Sequence, residues 1–388
     1  MLGKIRQPKL VDYLHNRASI TKTPLNGTFE LTPQCNMDCK MCYVKMSAKD
    51  QEAIAPLRSK EEWIALAHEA QKAGMMFLLL TGGEPFTRVD FKDIYITLHK
   101  MGFLLSVNTN GTLINESHIE WLRAYPPVRV NITLYGASNE TYADLCCNPK
   151  GFSQVCRSIR LLRDAGISAK LNCSVTPANK KDLGKIIKFA REKELILEIA
   201  SYLFPPTRRF AQQIGTNFRL SPSEANQVDI YKMIKDYGID YFLSYINMKK
   251  ANVTSSQPSL PEEDDWECSG DAMKCRAGRC SFWISWDGRM LLCGMLSQPQ
   301  AFPFQDGFHY AWTELTKLLE KITLSGKCKK CEYNNVCKPC AAMNYTENGF
   351  FEKEPLHRCE MTKLYLDDAE KIIQALKDNT PDYLDNLL

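Results

Sequence analysis

Six short β-prone runs, each followed by a segment of helical periodicity, fill the sequence between residues 28 and 238. Ser59 and Glu62 form a capping box at the start of the first helical segment, and Gly74 is placed to end it. Six strand–helix units in succession predict a parallel sheet covered by helices, either a doubly wound sheet or an open barrel. The runs are TFELTPQ (28–34), MFLLLTGG (76–83), LLSVNTN (104–110), RVNITLYG (129–136), SAKLNCSV (168–175) and ILEIASYLF (196–204).

Chemically unusual residues recur where four of these runs end. They are a cysteine group that starts at Cys35, two glycines and a glutamate at 82–84, NTNG at 108–111, and a Tyr–Gly pair at 135–136. Barrels and open parallel sheets both place their active sites at the carboxyl ends of strands. Four such ends in succession favour one shared mouth.

Sixteen of the 388 residues are cysteine, and most of them are clustered. The longest apolar run, Met75 to Leu80, is too short to span a bilayer, and the N-terminus lacks the apolar core of a secretory signal. We therefore expect a cytoplasmic protein that has no membrane as a partner. The net charge of 49 − 45 = +4 is small, so nucleic acid is not an expected partner. In a reducing cytoplasm, clustered cysteines indicate metal or cluster ligation rather than disulfides.

The first cysteine group offers three thiolates from one short loop. Cys35, Cys39 and Cys42 have no fourth cysteine or histidine beside them, whereas structural metal sites usually have four ligands. Three ligands leave one coordination position open, as catalytic sites require; a zinc site completed from elsewhere is the alternative. GGEP at 82–85 adds a backbone that can approach a ligand closely and a carboxylate, Glu84, that can accept from an ammonium group.

In these motifs the sequence resembles the radical S-adenosylmethionine (SAM) family. The resemblance rests on CNMDCKMC (35–42), LTGGEPF (80–86), VNTNGTL (107–113) and VNITLYG (130–136), and it covers residues 28–238. It implies an α/β fold with a partial (β/α)6 TIM-like barrel, and SAM bound to the open iron of a [4Fe–4S] cluster. The implied cluster ligands are Cys35, Cys39 and Cys42. The implied SAM contacts are Gly82, Gly83 and Glu84 at the methionyl amine, Asn108 and Thr133 at the carboxylate or ribose, and Tyr43 near the adenine.

The C-terminal cysteines resemble the SPASM extension of the same family. Cys275-x12-Gly288-x4-Cys293 matches its first half, and a string from Cys328 to Cys359 matches its second half. This resemblance implies two auxiliary [4Fe–4S] clusters. Eight thiolates would also satisfy two zinc sites, which is the alternative. The implied sets are Cys275, Cys280, Cys293 and Cys340 for one cluster, with Cys268 as a possible replacement for Cys280, and Cys328, Cys331, Cys337 and Cys359 for the other.

The predicted organisation has four parts. Residues 1–27 form an N-terminal extension, 28–238 the core barrel, 239–266 a connector, and 267–388 a cysteine-rich domain with a terminal helix. Four cysteines lie outside the ligand groups. Cys156 and Cys173 are interpreted as small buried hydrophobic residues, and Cys146 and Cys147 border the expected mouth, where contact with substrate is one interpretation.

The family resemblance implies a radical SAM oxidoreductase that modifies a peptide or protein, with no catalytic residue assigned. A ribosomal-peptide maturase that forms a thioether or carbon–carbon cross-link is the favoured interpretation. The alternative is an anaerobic sulfatase-maturing enzyme that oxidises Cys or Ser to formylglycine; Gly294 stands where many of those enzymes carry an acidic base. A non-catalytic iron–sulfur or zinc protein is a further alternative. The expected partners are the substrate and an electron donor such as flavodoxin or ferredoxin. Because only 34 residues precede Cys35, a separate leader-binding protein is also possible.

Overall fold

One mixed sheet organises the chain in a computed structural model that describes residues 9–207, 218–254, 275–337 and 340–378. In the described residues the sheet has nine strands in the order β6-β5-β4-β3-β2-β1-β7-β8-β9. The strands are β1 (Asn26–Glu30), β2 (Phe77–Thr81), β3 (Leu104–Thr109), β4 (Arg129–Thr133), β5 (Ala169–Ser174), β6 (Ile196–Ala200), β7 (Ser281–Ile284), β8 (Met290–Leu291) and β9 (Gln300–Ala301).

Strands β1 to β6 pair in chain order and all run parallel, which confirms the α/β fold with a partial barrel. Strand β7 pairs in parallel with β1 on its other side, and β8 and β9 continue the sheet as antiparallel strands. The cysteine-rich C-terminal region therefore extends the sheet of the barrel. The predicted domain boundaries remain predictions, but this sheet is continuous across them.

Helices follow most strands and cover one face of the sheet. Ser59 and Glu62 form the predicted capping box of the third helix, and the predicted apolar face of that helix, including Trp63 and Leu66, is buried. The helices are α1 (Leu10–Thr21), α2 (Ala48–Ile54), α3 (Lys60–Lys72), α4 (Phe91–Lys100), α5 (Glu116–Ala124), α6 (Asn139–Cys146), α7 (Gly151–Asp164), α8 (Leu183–Glu192), α9 (Pro222–Tyr237), α10 (Ile239–Thr254), α11 (Pro303–Asp306), α12 (Phe308–Glu320), α13 (Gly326–Lys329), α14 (Ala341–Asn348) and α15 (Leu356–Asp378).

The two faces of the sheet differ in chemistry because strand residues point alternately to opposite sides. Val107 and Ile132 lie on the helix-covered face and are fully buried in the main apolar core. The opposite, inner face is polar. Asn108, Asn131 and Lys170 occupy adjacent register positions there on β3, β4 and β5. A packed barrel fills its interior with branched apolar side chains, so this polar inner face is suited to a ligand.

The predicted connector at 239–266 is not irregular throughout. Its first part forms helix α10, because Phe242 and Ile246 bury their side chains where α10 packs against α9 and α15. The rest of the connector, with its acidic run, lies outside the described residues. The terminal helix predicted from Cys359 begins three residues earlier, at Leu356.

Candidate radical SAM site

Glu84 lies at the carboxyl end of β2, and its side chain has no exposed surface. Its carboxylate accepts from the Thr109 hydroxyl at 2.9 and 3.0 Å, the Asn110 backbone N–H at 2.7 Å and the Phe86 backbone N–H at 3.1 Å. Burial raises the pKa of this carboxyl to about 7 despite these donors. The carboxylate is thus fixed in position by the ends of two neighbouring strands.

The glycines before Glu84 allow two loops to approach each other. The Gly83 N–H donates to the Thr32 carbonyl at 2.6 Å, and the Glu84 N–H donates to the Gln34 carbonyl at 2.9 Å. A Cβ at Gly82 would lie 2.5 Å from the Thr32 carbonyl oxygen, and a Cβ at Gly83 would lie 2.3 Å from that of Gln34. The space beside these glycines is therefore filled by the backbone that leads into Cys35, rather than being left open for a ligand.

In the loop that carries Cys35, Cys39 and Cys42, backbone N–H groups donate hydrogen bonds to two of the sulfurs. The Met37 N–H donates to the Cys35 sulfur at 3.4 Å, and the Lys45 N–H donates to the Cys42 sulfur at 3.2 Å. Burial, the largest cause, raises the pKa of the Cys35 thiol to about 12, and the nearby charges of Glu84, Cys39 and Cys42 add to this shift. The three predicted cluster cysteines therefore lie close to one another and to Glu84.

Asn110 connects the cysteine loop to Glu84. Its side-chain amide donates to the Cys35 sulfur at 3.6 Å and to Asn36 Oδ1 at 2.9 Å, while its backbone N–H donates to Glu84. The family resemblance implies a role for Asn108 in the same NTNG motif, but it does not predict the contacts of Thr109 and Asn110. The motif and its position at a strand end were the available signal for these two residues.

The other predicted SAM contacts lie in two places. Asn108 and Thr133 are both on the polar inner face, where Asn108 Oδ1 accepts from Asn131 Nδ2 at 2.9 Å. Tyr43 lines a separate cavity of about 270 Å³. That cavity lies between the cysteine loop and the turn joining β7 to β8, and its lining includes Glu30, Trp286, Asp287 and Arg289.

The second auxiliary cysteine group is brought together by the fold. Burial raises the pKa of the Cys359 thiol to about 11, and the neighbouring Cys337, Cys328 and Cys331 contribute to this rise. Cys359 lies in the first turn of α15, whereas the other three cysteines lie in α13 and in the segment that follows it. The Cys337 sulfur also accepts from the Thr362 hydroxyl at 3.5 Å.

The first auxiliary group is brought together only in part. Cys275 and Cys340 are electrostatic neighbours, and the Cys275 and Cys293 sulfurs accept from backbone N–H groups two residues on, at 3.5 and 3.3 Å. Cys280 has no exposed surface and packs under α1 with Ala18 and Leu25. Its sulfur accepts from the Ser19 hydroxyl at 3.0 Å. Cys268, the predicted replacement, lies outside the described residues.

These donor sets fit iron–sulfur clusters. Three cysteines in one loop and four in the group of Cys359 are the thiolate complements that clusters require, and hydrogen bonds to cluster sulfurs are usual. Within residues 9–207, 218–254, 275–337 and 340–378, no three Cys, His, Asp or Glu side chains are arranged around a single metal ion.

Of the remaining cysteines, Cys173 is buried in β5 and Cys156 is half-buried in α7. Cys147 is exposed and ends α6 with a φ of 55°. Cys146 is fully buried beside the cysteine loop rather than open to the mouth. No helix in the described part of the chain is long and apolar enough to cross a membrane.

Residues 29–190 match the model of the radical SAM superfamily. These residues form a radical SAM domain. Similarity to some relatives extends beyond this domain to most of the chain. It is 26% identical over 352 residues to an AdoMet-dependent heme synthase of Methanosarcina barkeri, covering 87% of this chain and 97% of that protein. It is 26% identical over 368 residues to AlbA, the antilisterial bacteriocin subtilosin biosynthesis protein of Bacillus subtilis, covering 89% of this chain and 76% of that protein.

Solved structures share the fold of this chain well beyond the radical SAM domain. A structure of anSMEcpe with bound AdoMet aligns with a TM-score of 0.64 at 18% identity, covering 94% of this chain and 98% of that one. Streptococcus suis SuiB bound to the precursor peptide SuiA aligns with a TM-score of 0.63 at 16% identity, covering 88% of this chain and 79% of that one. At such identities the similarity concerns the fold alone.

Proposed function

We propose that this chain is a radical SAM/SPASM enzyme that oxidatively modifies a peptide, as a maturase that forms a thioether or carbon–carbon cross-link. The observation that carries the proposal is the fixed arrangement of Cys35, Asn110 and Glu84 at the strand ends, accompanied by further cysteine groups. The name of AlbA as a bacteriocin biosynthesis protein and the complex of SuiB with its precursor peptide support a peptide substrate.

In this proposal Cys35, Cys39 and Cys42 hold a [4Fe–4S] cluster with one open iron. When bound there, the cluster and SAM supply a 5′-deoxyadenosyl radical that takes a hydrogen atom from the substrate. Glu84 accepts from the methionyl ammonium group, and the bonds from Thr109 and Asn110 keep its carboxylate oriented. Gly82 and Gly83 act by closing the cysteine loop onto the end of β2. Asn108 and Thr133 remain proposed contacts for the SAM carboxylate or ribose, and Tyr43 for the adenine.

Two auxiliary [4Fe–4S] clusters complete the proposed cofactor set. Cys328, Cys331, Cys337 and Cys359 hold one of them. For the other, the predicted set of Cys275, Cys280, Cys293 and Cys340 is retained, with Cys268 as the replacement for Cys280. Cys275 is an electrostatic neighbour of both Cys340 and Cys280, and the Cys280 sulfur accepts from the Ser19 hydroxyl at 3.0 Å.

Cross-linking of a substrate thiol to a carbon removes two hydrogens. One leaves as the abstracted hydrogen atom; the other leaves as an electron, for which an auxiliary cluster would be the acceptor, and as the thiol proton, which also needs an acceptor. Glu30 is our candidate for this acceptor, because it is a buried carboxylate that lines the cavity between the cysteine loop and β7. Trp283 Nε1 donates to Glu30 Oε2 at 3.0 Å and orients it.

Formylglycine formation is less well supported. A Cβ at Gly294 would lie 2.9 Å from the ring of Trp283, so the fold leaves no room for an acidic side chain beside Cys293. A step that yields heme is a second candidate, because the M. barkeri heme synthase matches this chain over 97% of its own length.

The proposal is tested by anaerobic reconstitution, followed by turnover with SAM and reduced flavodoxin or ferredoxin. We expect about twelve irons per chain for three clusters, and 5′-deoxyadenosine that disappears in Cys35→Ala. Cys280→Ala should lose about four irons, whereas retention of about twelve would identify Cys268 as the ligand in its place. Zinc without iron, or 5′-deoxyadenosine formation by Cys35→Ala, would overturn the proposal.

The substrate class is decided by mass spectrometry of candidate peptides after turnover. Loss of two hydrogens with sulfur retained is expected for peptides encoded near this gene. Conversion of a sulfatase peptide cysteine to an aldehyde would establish formylglycine formation instead, and heme formation would establish the second candidate.

A further inference from the structure

Three side chains on the polar inner face of the barrel form a row of hydrogen bonds. Arg129 Nε donates to Asn131 Oδ1 at 3.1 Å, and Asn131 Nδ2 donates to Asn108 Oδ1 at 2.9 Å. Arg129 and Asn131 lie two residues apart on β4 and therefore point to the same side, and Asn131 is the register partner of Asn108 on β3. The row leads from the start of β4 towards the carboxyl end of β3, where the proposed SAM site lies.

The guanidinium at the start of this row fixes the orientation of both amides. An arginine side chain has only donors, whereas an asparagine amide has an acceptor oxygen on one side and an NH2 donor on the other. Asn131 must therefore turn its oxygen towards Arg129, and its NH2 group then faces Asn108. Asn108 in turn must turn its own oxygen towards Asn131. While both hydrogen bonds of the row are present, each amide is restricted to one of its two orientations.

The row ends at the NH2 group of Asn108. Within the part of the chain that the structure describes, no residue accepts a hydrogen bond from Asn108 Nδ2, and the side chain is half-buried on the inner face. The orientation of its amide means that Asn108 offers a donor to a ligand in the barrel. The group that it binds must therefore be an acceptor. A carboxylate is only an acceptor, whereas a ribose hydroxyl both donates and accepts.

We propose that Arg129 and Asn131 are positioning residues that hold the NH2 group of Asn108 towards the carboxylate of bound SAM. This inference rests on the proposed function, because it requires SAM in the barrel, and it assigns Asn108 to the carboxylate rather than to the ribose. Hydrogen bonds to charged groups are stronger than those between neutral groups. A donor that is oriented before SAM binds also avoids the cost of ordering it during binding.

The test is the dissociation constant of SAM, measured by isothermal titration calorimetry with the anaerobically reconstituted full chain. Asn131→Asp nearly keeps the shape of the side chain and can still accept from Arg129, but a carboxylate cannot donate to Asn108 Oδ1. Asn108 should then turn its NH2 group towards the new carboxylate and its oxygen towards SAM. We expect SAM to bind about tenfold more weakly, because one hydrogen bond to a charged group is lost.

Changes at Arg129 test the start of the row. Arg129→Met removes the donor that fixes the row and lets both amides turn together. If the two orientations become equally populated, the competent fraction falls to about half and the dissociation constant of SAM about doubles. Arg129→Lys keeps a cationic donor, so its dissociation constant should lie closer to that of the wild type. This rescue by the conservative variant is not expected if Arg129 only packs against its neighbours.

The matched control is Asn172→Asp, which adds the same charge to the inner face on β5 but lies outside the row. Asn172 is the register partner of Thr133, so its added charge lies nearer the mouth than a charge at residue 131. Asn131→Asp should nevertheless weaken SAM binding more than Asn172→Asp. Equal weakening by the two variants would show an effect of charge rather than orientation and would overturn this inference alone. Unchanged SAM binding in Asn131→Asp would overturn it as well.

The variants at Arg129 decide the matter if Asn131→Asp does not fold. Equal dissociation constants of SAM for the wild type, Arg129→Met and Arg129→Lys would then overturn the inference. A reconstituted wild-type protein that binds no SAM would overturn the proposed function and this inference together.

Discussion

At the scale of single residues, Glu84 carries an electrostatic cost because it is a buried carboxylate. Its carboxyl is fully buried, and burial raises its pKa from 4.5 to about 7. Between these two pH values the folded protein keeps a proton that the unfolded chain has already released. Stability therefore falls as pH rises through this window, and it changes little above it. An amino group that binds Glu84 would offset this cost.

We predict that the Glu84→Gln variant of the cluster-free protein gains stability relative to wild type as pH rises from 4.5 to 7. The pKa difference of about 2.5 corresponds to a change on the order of 3 kcal/mol in the difference between the two proteins. Urea unfolding under reductant at a series of pH values measures it. Glu198→Gln, at an exposed carboxylate paired with Lys170, serves as the control. A stability difference that does not vary with pH would contradict the prediction.

The residue scale also separates what the sequence could predict from what it could not. The identity of Glu84 and of the three loop cysteines as site residues followed from motif spacing. The hydrogen-bond partners of Glu84 could not be predicted in the same way. Thr109 and Asn110 lie at the end of a neighbouring strand, and motif spacing does not specify the register between the two strands. The backbone that lies beside Gly83 could not be predicted for the same reason. The backbone that fills its side-chain space belongs to residues 33–34, about fifty positions away.

At the scale of elements, α6 positions the cysteine loop, because the Asp38 N–H and the Lys40 N–H donate to the last carbonyls of α6, those of Cys146 and Leu145, both at 3.0 Å. Asp182 in turn positions the start of α6. This residue is buried, and its Oδ2 accepts from the Ala137 N–H at 2.9 Å and the Thr141 hydroxyl at 2.6 Å. Removing the carboxylate would take this acceptor away from both donors.

We predict that Asp182→Ala costs roughly 1–3 kcal/mol of unfolding free energy. Because α6 holds the loop, the variant should also lose iron from the N-terminal cluster faster under a chelator. The matched control is Glu140→Ala in the first turn of α6, an exposed carboxylate whose removal should cost roughly 0.3–1 kcal/mol. Calorimetry and the rate of iron release provide the two measurements. Equal iron release from the two variants would show that α6 does not support the loop.

Helix α6 was absent from the predicted elements, although strands β1 to β6 were predicted within a few residues. The strands have β-prone runs that end in turn residues, which give a strong signal. Helix α6 has eight residues and only four buried side chains, and its N-terminal cap at Ser138 was the available signal. Helix α10 was missed because the Ser, Pro and acidic residues that follow it dominated the composition of the segment.

At the scale of the whole molecule, the barrel and the cysteine segment at residues 326–337 differ in what holds them together. The barrel has a continuous apolar core that includes Leu80, Val107 and Ile132, and this core extends into Phe308 and Trp312 of the C-terminal region. In residues 326–337, by contrast, no side chain that the structure describes is buried. Regions without an apolar core commonly depend on bound metal for their fold. The stability of the two parts should therefore respond differently to the removal of iron.

We predict that anaerobic chelation of iron leaves most of the far-ultraviolet circular dichroism signal, because the barrel does not need the clusters to bury its core. Trypsin should then cleave near Lys327 and Lys330 on the order of tenfold faster than in the loaded protein, since opening of this segment is local. Cleavage near Lys188, an exposed lysine on α8, is the control and should change little. If chelation instead abolished the dichroism signal in one cooperative step, the clusters would be required by the barrel as well. If cleavage near Lys327 stayed unchanged, the cysteine segment would be stable without them.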